Sequence, residues 1–254
     1  MSSRILISKK KATPRHPRRM RNPSAPLVIV AIVAIILMIS AGSFFLAQKT
    51  TSTNSTAIES NKRVILYVNQ GNALVSTANY TALLNYAKSN NFNTIFFQVY
   101  RNGELLFSQS NLTYFVETAH IEKLKIFFAL YFTSSSQQIP ASIYGLGEDG
   151  INLDMSTLSS SAQNNLLSTL RQNYNRGETA VTSTNFATTL KPDLLILETY
   201  LASDKLYIHP GIIASVEPLA TSSKQDYETQ YQYALANSDG IMVFDYYGLL
   251  RTGY

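Results

Sequence analysis

The sequence predicts a lean (β/α)8 barrel of the TIM type, preceded by one transmembrane helix. Three observations carry this. From Lys62 onward, eight short apolar runs recur along the chain. Most are apolar on both faces, as expected of parallel strands covered on one side and packed into a core on the other. Between several of them lie segments with helical apolar spacing, and strands alternating with helices imply crossover connections and a parallel sheet.

The chain opens with a basic tail. Of its 21 Lys/Arg, eight fall in residues 1–26, where there is no Asp or Glu, leaving 13 basic against 16 acidic side chains in the rest. The overall charge of +5 is therefore a property of the tail. The remainder is mildly acidic and poorly suited to a polyanion, so no nucleic-acid partner is expected.

Residues 27–47 (LVIVAIVAIILMISAGSFFLA) contain no charged residue. As a helix this run spans about 31 Å, matching a hydrocarbon core of about 30 Å. The basic residues before it place the N-terminus in the cytoplasm and the C-terminal domain outside the cell membrane. A cleaved signal peptide is the alternative, but the apolar stretch is longer than usual and lacks a defined small-residue cleavage site. Membrane lipid is thus an expected partner through 27–47. Residues 48–61, rich in Ser and Thr and without apolar period, read as a stalk. Three Asn-X-Ser/Thr triplets, at Asn54, Asn79 and Asn111, and the absence of Cys agree with export.

Residues 62–254 form the expected barrel domain. The eight runs are Val64–Asn69, Thr94–Val99, Lys125–Tyr131, Gly150–Asp154, Thr179–Thr184, Leu194–Glu198, Ile212–Glu217 and Gly240–Asp245. Helical spacing joins Tyr80, Leu83, Leu84 and Ala87, with Ser76 and Thr77 as caps; Leu112, Phe115, Val116 and Ala119, after Ser110 and Asn111; Leu158, Ala162, Leu166, Leu167 and Leu170; and the stretch Tyr227–Leu235. The connections after the fifth and sixth runs are too short for long helices, and no final helix is expected before Tyr254. An incomplete barrel or a doubly wound open sheet is the alternative fold.

Four runs end in a carboxylate: Asp154, Glu198, Glu217 and Asp245. In a barrel the C-terminal strand ends form the active-site face. Alternation along a strand puts Asp154 on the face of Asn152, Glu198 with Ile196, Glu217 with Ser215 and Asp245 with Val243. If all four point inward, they converge on one mouth with Asn69, Gln98 and Tyr131, and with Tyr246 and Tyr247 following. A protonated carboxyl beside an ionised one, with aromatic walls for sugar rings, is the apparatus of glycoside hydrolysis. Crowding of like charges would itself raise one pKa. The structural reading of each is a helix cap, as Asp154 before Met155 and Ser156 could be, or an ion pair. His16, His120 and His209 lie far apart and form no metal constellation, and no cofactor is expected. The glycines of 144–150 (YGLGEDG) read as a turn, since they do not follow the phosphate-loop pattern.

Residues 91–130 resemble the second strand, second helix and third strand of glycoside-hydrolase-like TIM barrels of prokaryotic cell envelopes. The matching residues are Phe92-Asn93-Thr94, Phe97-Gln98-Val99, Arg101, Gly103 and Ala119-His120. The chain departs at Tyr100-Arg101, where that family usually has Arg-Pro, and lacks the Gly usual before Leu124. Gly150–Asp154 and Leu194–Glu198 are similar to strand ends of endo-polygalactosaminidase-like barrels, which carry an Asp and a Glu there. The resemblance implies a glycosidase-type barrel, though fold alone does not fix activity. Taken together, the expected catalytic carboxylates are Asp154, Glu198 and Glu217, with Asp245, Gln98, Arg101, Tyr131 and Tyr246 contacting a glycan. The alternative is a non-catalytic envelope module that binds glycan or a surface protein.

Overall fold

The computed structural model describes residues 62–69, 77–186, 188–221 and 223–253. The expected tail, transmembrane span and stalk lie outside them. Among the described residues no helix is long and apolar enough to cross a membrane.

Among the described residues nine strands follow one another: β1 (Arg63–Val68), β2 (Thr94–Arg101), β3 (Glu104–Leu105), β4 (Lys125–Tyr131), β5 (Gly150–Asp154), β6 (Glu178–Ser183), β7 (Leu194–Glu198), β8 (Ile213–Val216) and β9 (Gly240–Val243). All but β3 pair in parallel around the sheet, and β1 bonds to both β2 and β9. The sheet is therefore a closed eight-stranded barrel, which excludes the open doubly wound alternative. The pair β2–β3 is antiparallel, a hairpin across Asn102 and Gly103 that the apolar pattern did not signal because its second strand is two exposed residues.

Closure explains the doubly apolar runs. One face of each strand fills the interior, where Ile65, Tyr67, Phe96, Phe127, Ala129, Ala180, Ile196, Ile213 and Met242 form one buried cluster. The other face, with Val64, Leu66, Phe97, Phe128, Leu153 and Val243 among its members, packs under the helices. These are α1 (Thr77–Ser89), α2 (Gln109–Ile121), α3 (Ser160–Asn173), α4 (Lys224–Asn237) and α5 (Tyr246–Thr252). The apolar stripes of α1 and α2 are buried as their spacing predicts. Ser108, rather than Ser110 or Asn111, caps α2 by accepting a hydrogen bond from the Asn111 amide. Among the described residues no α-helix follows β6, and a 3-10 helix, Ala202–Tyr207, follows β7, as the short connections predict. A final helix does form, contrary to expectation: α5 is only seven residues long, so it fits in the little chain remaining.

The end of the barrel at the strand N-termini is closed. Arg63 and Glu178 form an ion pair at 2.7 Å across it, with the Arg63 guanidinium 5.7 Å from the Phe127 ring centroid. Gly150 is required there, since a Cβ would lie 2.2 Å from the Phe127 ring and 2.6 Å from the Glu178 carbonyl oxygen. Asp149 ties the same end together through His120 Nε2 and the Ile126 amide, each at 2.8 Å. The glycine-rich segment before β5 is the expected turn: Gly145 and Gly147 have positive φ, and Glu148 accepts from the amides of Gly145 and Leu146.

Candidate active site at the barrel mouth

The opposite end is open. A cavity of about 200 Å³ lies there, lined by Tyr67, Asn69, Gln98, Arg101, Tyr131, Asp154 and Phe244. Four of the expected site residues, Gln98, Arg101, Tyr131 and Asp154, are in its wall. Arg101, Tyr131 and Asp154 form one row, because Arg101 pairs with Tyr131 across β2 and β4, and Tyr131 with Asp154 across β4 and β5.

Asp154 ends β5 with its side chain inward above Asn152 and is 5% exposed. Its Oδ2 accepts a hydrogen bond from the Tyr67 hydroxyl at 3.3 Å, while Oδ1 is buried with no hydrogen-bond partner. Burial pushes its pKa up to about 6, against the lowering influence of the Tyr67 hydroxyl and of the Ser156 amide and hydroxyl. Burial, reinforced by the Asp154 charge, in turn raises the Tyr67 hydroxyl well above its usual pKa, so it remains a donor. The cap reading of Asp154 does not hold: Ser159 is the N-cap of α3.

Glu198 ends β7 on the face of Ile196, and Glu217 follows β8 on the face of Ser215, so both point to the mouth, beyond the wall of the cavity itself. Burial first, then the charges of Asp154 and Glu217, push Glu198 up to about 7. Burial and the Asp245 charge raise Glu217. Tyr200 feels Glu198, Asp154 and Glu217 together. Glu198 thus lies close enough to Asp154 and Glu217 to feel both charges, although of the three only Asp154 lines the cavity, and none of them is in an ion pair among the described residues. No group of His, Cys, Asp and Glu among those residues is arranged to hold a metal ion.

Asp245 and Tyr246 do not line the cavity, although the Asp245 side chain bonds to Asn69 in its wall. β9 ends at Val243, which packs outside the barrel, while Phe244, joined to Asp245 by a cis peptide bond, packs against the inner cluster. Asp245 is the N-cap of α5, its Oδ1 accepting from the Gly248 amide at 2.7 Å. It stays close enough to Glu217 to raise it, but as a helix cap beside the mouth. Tyr246 is 7% exposed in the helix layer, its ring 5.1 Å from that of Tyr86, and does not reach the cavity. The alternation rule fails here because the run is apolar on both faces, so its inward parity cannot be told from residue type. Tyr67 and Phe244 were missed as wall residues. Tyr67 was within reach, since it alternates with Ile65 and Asn69 along β1.

The residues of the 91–130 resemblance divide by role. Asn93 is scaffold: its side chain accepts from the Val64 amide and donates to the Lys62 carbonyl. His120 is likewise scaffold, through Asp149. Only Gln98 and Arg101 face the cavity.

No family model matches the chain, and no curated protein matches it by sequence. Solved structures do match in shape. The GH113 β-mannanase AaManA from Alicyclobacillus acidocaldarius, in complex with ManMIm, superposes with a TM-score of 0.52 at 10% identity, covering 73% of this chain and 86% of its own. The GH18 chitinase ChiB from the chitin utilization locus of Flavobacterium johnsoniae gives 0.51 at 11% identity, covering 76% and 92%. CpGH84B gives 0.51 at 9% identity and covers 72% of this chain, which spans only 44% of that longer protein. At these identities the likeness is one of fold: the described domain has the (β/α)8 barrel that these glycoside hydrolases also have.

Proposed function

We propose that this chain is a membrane-anchored, outward-facing, glycan-acting barrel of the cell envelope, and that it is a glycoside hydrolase. In this reading residues 1–26 are the cytoplasmic tail, 27–47 the membrane anchor, 48–61 the stalk and 62–254 the extracellular barrel. The observation that carries the catalytic part is the unpaired carboxylate cluster at the mouth. Glu198, with no hydrogen-bond donor bound to it among the described residues and a pKa near 7, is suited to be the general acid. Asp154, held by the Tyr67 hydroxyl, is suited to be the ionised nucleophile or base. Glu217 adds to the negative potential that keeps Glu198 protonated. The fold shared with glycoside hydrolases agrees with this reading.

The test is reducing-end release from a panel of envelope and extracellular polysaccharides by the parent protein, Asp154→Asn and Glu198→Gln, with melting curves to confirm folding. Each substitution should lower kcat by about 10²–10⁴-fold, the usual worth of a positioned acid or base. Folded variants with undiminished cleavage would remove both residues from the mechanism. One observation favours a second reading, a glycan-binding module without catalysis. Of the three carboxylates only Asp154 lines the cavity, while Glu198 and Glu217 lie beyond its wall. That reading expects glycan binding with no cleavage of any substrate by the parent protein.

A further inference from the structure

Arg101 is the one cation in the cavity wall among the described residues, and three features set it apart from a solvated surface arginine. It ends β2 at the base of the tight hairpin through Asn102 and Gly103, whose positive φ values of 53° and 92° fit a two-residue turn that fixes the strand ends. Its guanidinium rests 5.9 Å from the Tyr131 ring centroid, an aromatic support that orients the plane without using any N–H group. Asp154 lies in the same row, and Glu104 is its directly opposed neighbour in the hairpin, yet Arg101 is in no ion pair with either. No hydrogen bond occupies its donors among the described residues. An arginine held in place, half-buried and with an open fork is the arrangement that recognises a carboxylate by two parallel hydrogen bonds.

Its position relative to Asp154 suggests what would carry that carboxylate. The two residues lie two strand spacings apart in one row, about 10 Å along the sheet. A carboxylate on the guanidinium therefore leaves room for a sugar ring to extend toward Asp154. The side chains of Asn69 and Gln98 stand in the same wall. We infer that the cavity binds a uronic acid residue of an acidic glycan, with Arg101 holding the sugar carboxylate and Tyr131 holding the guanidinium in place. This rests on the mouth being a glycan site and names the class of sugar it takes. A neutral sugar would leave a desolvated guanidinium without a partner, and this is the basis of discrimination.

The experiment is calorimetric binding by the full-length protein in detergent. Its probes are short oligomers of galacturonate, glucuronate and mannuronate, each compared with its own methyl ester, which keeps the ring and removes the charge. At least one acid should bind about tenfold or more tighter than its ester, the scale of a charge-assisted bidentate pair. Arg101→Gln should abolish the difference and Arg101→Lys should keep part of it, with melting curves showing that both fold. Equal binding of every acid and its ester, a preference that survives Arg101→Gln, or no binding of any uronate would overturn the inference. An acid preference without cleavage of any oligomer would defeat the hydrolase reading alone. Cleavage of neutral glycans without acid preference would defeat the uronate subsite alone.

Discussion

The two ends of the barrel use similar residues to opposite effect. At the closed end Arg63 is paired with Glu178, Asp149 with His120, and Asp193 accepts from both the amide and the hydroxyl of Thr179 at 2.7 and 2.8 Å. The Thr179 amide, its hydroxyl and the Arg171 charge hold Asp193 below the usual carboxylate pKa despite some desolvation. At the mouth every expected carboxylate is pushed the other way, and Asp154, Glu198 and Glu217 are in no ion pair among the described residues. A satisfied charge stabilises a fold, whereas a buried charge left unsatisfied costs stability and is kept where function requires it. The contrast agrees with the proposed chemistry at the mouth and with a structural role for the closed end.

The largest effect that would break the comparison is steric. Gly150→Ala at the closed end drives a methyl group into the Phe127 ring and the Glu178 carbonyl. It should cost about 3 kcal/mol by urea unfolding, at the upper end of overpacking costs, with no change in the pH dependence of stability. A cost under about 0.5 kcal/mol, the scale of a neutral surface substitution, would mean that this end is looser than described.

Next comes the sign of a charge removal at the mouth. Asp154 has a native pKa near 6, above its unfolded value, so its favourable contribution is full below pH about 4 and is lost as pH rises through 6. Asp154→Asn should therefore become progressively more stable than the parent from pH 4 to pH 8. The gain should reach about 2 kcal/mol, since each pKa unit corresponds to about 1.36 kcal/mol. A parent that is the more stable of the two at pH 8 would contradict the burial of this carboxyl.

The smallest effect has the opposite sign. Asp193→Ala removes two hydrogen bonds at the closed end and should lose about 1 kcal/mol near neutral pH. Because the native pKa of Asp193 is lowered, its contribution is present above the unfolded pKa and disappears as pH falls through the native one. The deficit of the variant should therefore vanish in acid, measured by the same unfolding series. A deficit that persists there would assign it to packing instead of charge.

Much of this was legible in the sequence, for reasons visible in particular residues. The bounds of β4, β5 and β7 coincide with their apolar runs, because each run ends where a polar residue reaches the rim. Tyr80, Leu83, Leu84 and Ala87 could be placed in a core from spacing alone, since a helix has one buried face. Asp154 shares a face with the polar Asn152 and Glu217 with Ser215, against apolar residues on the other face, whereas Glu198 shares one with Ile196 in a run that is apolar on both faces. In β9 both faces are apolar and the same rule had nothing to distinguish.

By itself, then, the amino-acid order determined what depends on local periodicity: the number of parallel strands, the helices between them and the strand-end carboxylates. Tertiary structure alone decided what depends on closure. The pairing of β1 with β9 sets which face of Gly240–Val243 is inward, so Phe244 enters the mouth and Asp245 turns to cap α5. It likewise brings Tyr67 within bonding distance of Asp154, a residue 87 positions away in the chain. Strand neighbours distant in sequence carry no periodic signal of each other, and only packing in three dimensions tells them apart.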